Sequence, residues 1–160
     1  MSKERLDSDG YHYKECGLDN IWLSNGFELV DSDYGEGVII HEVEKLNLAI
    51  GRDICGRPRL DGKQFKFLRR QLGLSQKRLG KLMGVEEQTI SLWERGQSTL
   101  PLCSEILLRT LFMQSTGSRV KLRETLEELA DLDAEIHELG RQLSELKFQL
   151  SDTGNWKNAA

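Results

Sequence analysis

The chain has 160 residues, of which 38% are hydrophobic and 30% charged, and its formal net charge is −4. This composition favours an ordered, soluble protein with one good core or two small ones. No apolar run reaches the length of a membrane span, and three cysteines without a C-x-x-C spacing argue against a disulfide framework, so we expect a cytoplasmic protein with no membrane partner.

The charge is unevenly distributed along the chain. Residues 1–50 hold 4 Lys/Arg against 11 Asp/Glu, residues 51–112 hold 12 against 6, and residues 113–160 hold 6 against 9. A basic middle segment is typical of a phosphate-binding surface, so the negative total does not exclude a nucleic-acid partner.

Residues 1–56 are predicted to form a small antiparallel sheet followed by a helix. Asn25-Gly26 lies between two apolar runs and favours a tight hairpin, because both residues tolerate positive φ. Gly35-Glu36-Gly37 predicts a second turn. We expect strands at residues 11–14, 21–24, 27–30 and 38–41 and a helix over residues 42–54.

Residues 57–114 are predicted to form an all-α domain, which makes the fold class α+β. The run at residues 56–62 breaks the periodicity, and helices are expected over residues 63–72 and 102–113. Between them, Ser75 is a helix N-cap and Gly84 supplies a left-handed turn. The sequence therefore predicts two short helices joined by a tight turn.

The run LSQKRLGKLMGVEEQTISLWERG at residues 74–96 resembles the Xre/Cro-like helix-turn-helix family, whose pattern is L-S-Q-x-x-L-A-x-x-L-G-V-S-x-x-T-I-S-x-W-E-R-G. The similarity extends over residues 61–114. It departs from the pattern at Gly80, where Ala is usual, and at Glu86, where Ser or Thr is usual. Gly80 predicts a close crossing of the two helices.

This resemblance implies double-stranded DNA as the partner. It places four residues of the second motif helix against base edges: Glu87, Gln88, Ser91 and Leu92. It places four others against phosphates: Gln76, Lys77, Arg78 and Arg95. A Gln side chain can pair with adenine, a Glu can accept from cytosine, and a Leu can contact the thymine methyl group.

Some of the charged residues have simpler interpretations. Glu86 and Glu87 also suit the positive end of a helix dipole, which is the interpretation we favour for Glu86. Arg69 and Arg70 are either additional phosphate contacts or a solvated helix face.

Residues 115–152 are predicted to form a long helix with one apolar seam. Its members are Leu122, Leu126, Leu129, Leu132, Ile136, Leu139, Leu143, Leu146 and Leu150. Spacings of three and four favour a homodimeric coiled coil, with folding back onto the same subunit as the alternative. Residues 153–160 are expected to be a loose tail.

No enzyme motif and no cofactor site is expected. His12, Cys16, His41 and Cys55 match no common zinc spacing. The pattern Y-x-Y-x-x-C-G-L-x-N-I-x-L at residues 11–23 resembles MqsA-type antitoxins without their two C-x-x-C pairs. Two functions follow: a dimeric repressor on a palindromic operator, or an antitoxin that binds a toxin and regulates its own operon.

Overall fold

The computed structural model describes residues 6–7, 10–117 and 146–159. Within them lie five helices and seven strands, which confirms the α+β class. The chain forms two compact units, one of residues 1–50 with 143–160 and the other of residues 51–142. The division falls inside the first helix, whereas the sequence predicted it after residue 56.

The first unit contains two sheets. The strands are β1 (Leu6–Asp7), β2 (Gly10–His12), β3 (Ile21–Leu23), β4 (Phe27–Ser32), β5 (Gly35–Ile40), β6 (Leu146–Leu150) and β7 (Trp156–Asn158). One sheet has the order β1-β2-β3-β6-β7, and the other contains β4 and β5. Only the β3–β6 pair among these is parallel. Side chains buried along β2, β3 and β6 build the core of the larger sheet: Tyr11, Ile21, Leu23, Leu146 and Phe148.

The prediction of a coiled-coil helix is wrong at the C-terminal end of that helix. Leu146 and Leu150 lie in strand β6, and the expected loose tail contains β7. Leu146 and Phe148 are each 1% exposed, because alternate residues of β6 enter the core beside β3. Leu146 therefore cannot belong to a dimer seam, and the other seam positions, from Leu122 to Leu143, lie outside the described residues.

The predicted hairpin at Asn25-Gly26 is also wrong, although strands lie on both sides of it. β3 already has β2 on one edge and β6 on the other, so no edge is left for β4, which pairs with β5 instead. The side chain of Asn25 continues the contact with β6. Its Nδ2 donates to the carbonyl of Leu150 at 3.1 Å, and its Oδ1 accepts from the amide of Leu150 at 2.5 Å.

The second turn is displaced from its predicted place. Gly35 and Gly37 lie within β5, and the two-residue turn is Asp33-Tyr34, flanked by the pair Ser32 and Gly35. The Ser32 hydroxyl donates to the Gly35 carbonyl at 3.0 Å and closes the loop. The sequence predicted this strand at residues 38–41, whereas β5 begins earlier, at Gly35.

The helices agree with the sequence prediction to within a few residues. They are α1 (Val43–Cys55), α2 (Gly62–Gln71), α3 (Gln76–Met83), α4 (Glu87–Glu94) and α5 (Leu102–Ser115). Asp61 begins α2 with a capping box, in which its carboxylate accepts from the Gln64 amide at 2.8 Å and the Gln64 side chain accepts in return.

A buried charged pair on α5 fixes the loop before α2. The Arg109 guanidinium, 1% exposed, donates to the carbonyls of Cys55 and Arg57, each at 2.6 Å. The Glu105 carboxylate accepts from Arg109 at 2.5 Å and from the Leu60 amide at 2.8 Å. Because these buried groups form charge-assisted hydrogen bonds away from water, they hold the non-periodic segment in one conformation.

Candidate nucleic-acid interface

Helices α3 and α4 form a helix-turn-helix whose geometry follows from local signals. The Ser75 hydroxyl accepts from the Arg78 amide at 3.0 Å and caps α3. Gly84 ends α3 with φ of 71°, in the left-handed region where a residue with a Cβ is strained. Leu79 and Ile90 are fully buried between the helices. The turn is therefore specified by the residues that form it.

Gly80 lies against the turn itself. A Cβ at this position would be 2.6 Å from the carbonyl oxygen of Val85, and the Val85 amide donates to the Gly80 carbonyl at 2.9 Å. The predicted close approach is present, but its partner is the backbone of the turn. Glycine thus allows α4 to begin immediately beside α3.

A buried ion pair braces α4 from behind. The side chains of Arg69 in α2 and Glu94 in α4 are 10% and 2% exposed and form two hydrogen bonds, of which Nη2 to Oε2 is 3.2 Å. Gln76 Nε2 also donates to Glu94 Oε2, at 2.7 Å. Arg69 Nη1 donates to the carbonyl of Leu74 at 2.7 Å. One carboxylate therefore links all three helices of the motif region.

This network was missed by the sequence analysis. Arg69 was expected to contact phosphate or solvent, and the structure buries it instead. The helical spacing could have indicated that both side chains are buried. Arg69 is four residues after Phe65 and Glu94 is four residues after Ile90, so each shares a helix face with a buried residue.

The four predicted base-reading residues lie along α4. Glu87 and Gln88 are exposed, while Ser91 and Leu92 are half-buried. Gln88 is three and four residues before Ser91 and Leu92, so these side chains share one face of the helix. Glu86 precedes α4 as its N-cap residue but makes no side-chain cap hydrogen bond.

The predicted phosphate contacts fall into two groups. Lys77, Arg78 and Arg95 are exposed, and Arg95 Nε donates to the carbonyl of Ser91 at 3.2 Å. Gln76 is half-buried, and one of the two hydrogens of its Nε2 is used in the bond to Glu94. The first turn of α3 contains no acidic residue, which leaves its helix dipole and its cations favourable to an anion.

Comparison with known protein families decides what this motif is. The model of a family described as helix-turn-helix matches residues 65–102. These residues form a helix-turn-helix of the Xre/Cro type. This domain is a DNA-binding regulatory domain. The searches of curated proteins and of solved structures returned no significant match. Since the family match excludes the N-terminal segment, the resemblance of that segment to MqsA-type antitoxins stays a prediction.

Two absences concern the residues that the structure describes. Among those residues, no group of three or more His, Cys, Asp or Glu is arranged to hold a metal ion, and no helix is long and apolar enough to span a membrane. His12 contacts the carbonyl of Asp19 at 2.6 Å, and His41 contacts Glu28 at 3.0 Å.

Cys16 and Cys55 are unreactive thiols. Burial raises the pKa of Cys16 to about 11 and the pKa of Cys55 to about 12. Both side chains therefore remain protonated at neutral pH and are poor nucleophiles and poor metal ligands.

Proposed function

We propose that this protein is a sequence-specific transcriptional regulator that represses its target by binding a palindromic operator as a homodimer in the cytoplasm. The observation that carries the proposal is the exposed face of α4, with Gln88 at its centre, supported from behind by the buried pair of Arg69 and Glu94. A rigid helix with exposed polar side chains suits readout in the major groove.

Base recognition is assigned to residues that differ in chemistry. Gln88 pairs with the N6 and N7 atoms of an adenine, and Glu87 accepts from the amino group of a cytosine. Ser91 and Leu92 lie deeper along the same face, where Leu92 contacts a thymine methyl group. Each good bidentate pair contributes about 1–3 kcal/mol of discrimination against the wrong base.

Phosphate recognition is assigned to the beginning of α3 and the end of α4. Lys77 and Arg78 are exposed in the first turn of α3, and Arg95 is exposed after α4. Gln76 donates its second Nε2 hydrogen to a phosphate while the first holds it on Glu94. These contacts position α4 and supply the salt-dependent part of the affinity.

The test begins with selection of bound duplexes from a random pool, followed by fluorescence anisotropy on the selected and a scrambled duplex. Gln88→Ala is expected to change the preference at one base pair by about 1–3 kcal/mol. Lys77→Ala is expected to weaken both duplexes alike and to lower the salt slope by about 1.

Lys66→Ala is the matched control, because Lys66 is an exposed lysine of α2 that the proposal leaves away from DNA. It should change neither affinity nor salt slope. Equal losses on the selected and scrambled duplexes for Gln88→Ala would contradict its role in base readout. The absence of any preferred duplex would overturn the proposed function as a whole.

The homodimer is assigned to the apolar seam from Leu122 to Leu143. Two seams pairing across a two-fold axis would space the recognition helices about 34 Å apart, one turn of DNA.

Truncating the chain after the helix-turn-helix domain is a poor test of the homodimer, because β6 and β7 belong to the N-terminal sheet. The better variant is Leu132→Asp with Ile136→Asp, compared with Ala134→Asp outside the seam. Light scattering should give a monomer for the first and a dimer for the second, and a dimer in both would reject the seam.

An antitoxin is the second candidate function. The pattern at residues 11–23 favours it, and so does the excess of acidic residues in the N-terminal 50, 11 against 4, because a ribonuclease-like toxin binds RNA through a basic surface. This function requires a neighbouring gene whose product stops growth when expressed alone. Co-expression of the full chain should restore growth. A neighbouring gene whose product does not stop growth would contradict the antitoxin function, and the repressor would then be the remaining candidate.

A further inference from the structure

Helix α5 has its charged residues on its buried face. Its two charged side chains, Glu105 and Arg109, are 0% and 1% exposed and form a hydrogen bond with each other. The opposite face is an outer stripe of uncharged residues at helical spacings of three and four: Cys103, Ile106, Leu107, Thr110 and Gln114. A surface helix normally has the reverse arrangement, with its charges toward solvent. The outer stripe therefore indicates contact with another surface.

The outer stripe is accessible in the single chain. Leu107 is 37% exposed, and Cys103 and Gln114 are exposed toward the two ends of the helix. Leu111 and Met113 flank the stripe and are half-buried. An accessible apolar patch of this kind marks an interaction site more often than a solvated surface.

The stripe is an uncharged part of a basic domain. Residues 51–112 hold 12 Lys/Arg against 6 Asp/Glu, but residues 97–117 contain no charged residue besides the buried pair on α5. Two copies of the domain repel each other through their cations, and they approach at the lowest electrostatic cost through a face without charge. An apolar centre depleted of charge is also typical of interfaces between identical subunits. A partner of opposite charge would bind the cations of the domain rather than this face.

The location of the stripe suits a dimer on DNA. Helix α5 belongs to the same compact unit as the recognition helix α4. A palindromic operator requires two recognition helices related by a two-fold axis. A contact made by α5 acts within the unit that carries α4, so it constrains the separation of the two recognition helices.

We propose that the outer stripe of α5 is the contact between the two DNA-binding domains of the homodimer, and that its occupant is the outer stripe of a second copy of this chain. This inference rests on the proposed function, because it presupposes the homodimer. It adds a surface within the described residues to the seam from Leu122 to Leu143.

The size of the stripe sets its role beside that seam. A helix of 14 residues is about 21 Å long and about 10 Å wide, so one face presents a few hundred Å². A stable interface buries about 1,200 Å² or more, which two α5 helices alone do not reach. The seam therefore holds the two chains together, and the stripe fixes how the two DNA-binding domains are arranged.

The first test is sedimentation equilibrium of the full chain with a charge placed in the stripe. Leu107→Glu should weaken the dimer about tenfold or more, because each dimer would bury two unpaired carboxylates. Leu48→Glu is the matched control, since Leu48 is 38% exposed and lies on α1 outside the stripe, and it should leave the Kd of the dimer unchanged. Circular dichroism establishes that both variants are folded.

The second test leaves the stripe intact and uses the thiol of Cys103, which is exposed and lies on it. A maleimide should label Cys103 about tenfold more slowly above the Kd of the dimer than below it, because the second chain covers the thiol. The control thiol is Leu48→Cys in a Cys103→Ser background, and its labelling rate should not depend on protein concentration. If Leu107→Glu does not fold, this labelling decides by itself.

The outcomes separate the stripe from the homodimer. A wild type that stays monomeric at every concentration would overturn the proposed homodimer and this inference with it. A dimer in which Cys103 is labelled as fast as in the monomer would overturn the stripe alone and leave the proposed function standing. A folded Leu107→Glu variant that dimerises as tightly as Leu48→Glu would do the same.

Discussion

Neutralising Glu94 should destabilise the helix-turn-helix domain and loosen its DNA-binding surface together. Glu94→Gln leaves the volume of the side chain nearly unchanged but leaves the guanidinium of Arg69, 10% exposed, without its counter-charge. The same change weakens the acceptor that holds Gln76 at 2.7 Å.

The expected cost is large compared with the stability of a small domain. Breaking a buried ion pair by removing one charge costs about 3–5 kcal/mol. Because glutamine still accepts a hydrogen bond, we expect the lower end, about 3 kcal/mol, against a typical total of about 5–15 kcal/mol. For a domain of this size each kcal/mol lowers Tm by about 4–8 °C.

Urea unfolding followed by circular dichroism at the helix band measures the free energy of unfolding. Glu86→Gln is the matched control, because Glu86 is exposed and makes no cap hydrogen bond, so its loss should stay within about 0.5 kcal/mol. A Glu94→Gln variant as stable as Glu86→Gln would refute the reasoning.

A double variant separates stability from positioning. Arg69→Met with Glu94→Leu replaces the pair by apolar side chains of similar volume, which is often neutral or stabilising by about 1–4 kcal/mol. The fold should recover, but Gln76 would have no carboxylate to hold it. DNA affinity should therefore remain below that of the wild type, and full recovery of affinity would exclude a positioning role for Glu94.

Three further outcomes are expected. Gly80→Ala gains about 1 kcal/mol of helix propensity but places a Cβ 2.6 Å from the Val85 carbonyl, so urea unfolding should show a net loss of about 0–2 kcal/mol, and a full gain would contradict the close approach. Exposed Cys103 should react with a thiol reagent at pH 8 far faster than Cys55, because burial raises the pKa of Cys55 to about 12 and leaves about one thiolate in ten thousand; equal rates on mass-mapped peptides would count against this. Asn25→Ala removes two hydrogen bonds to β6 and should cost about 1–2 kcal/mol in urea unfolding, whereas no loss would show that the side chain is dispensable.

The sequence by itself determined the helix-turn-helix, because its signals are local. A capping residue such as Ser75 and a left-handed glycine such as Gly84 act within one turn of the chain, and each has one dominant conformation. The exposure of Gln88 and the burial of Trp93 follow equally from positions along one helix. The helix boundaries could therefore be predicted to within a few residues.

Only the tertiary structure decided which strands pair and which charges are buried. Leu146 and Leu150 fit both a helical seam and an alternating strand. The strand β6 forms because it pairs with an edge of β3, which lies more than a hundred residues earlier in the chain. Because β6 occupies this edge of β3, β4 cannot form the hairpin with β3 that Asn25-Gly26 predicted. Arg69 is buried because Glu94 meets it from another helix. These outcomes depend on contacts between distant segments, which a local pattern does not contain.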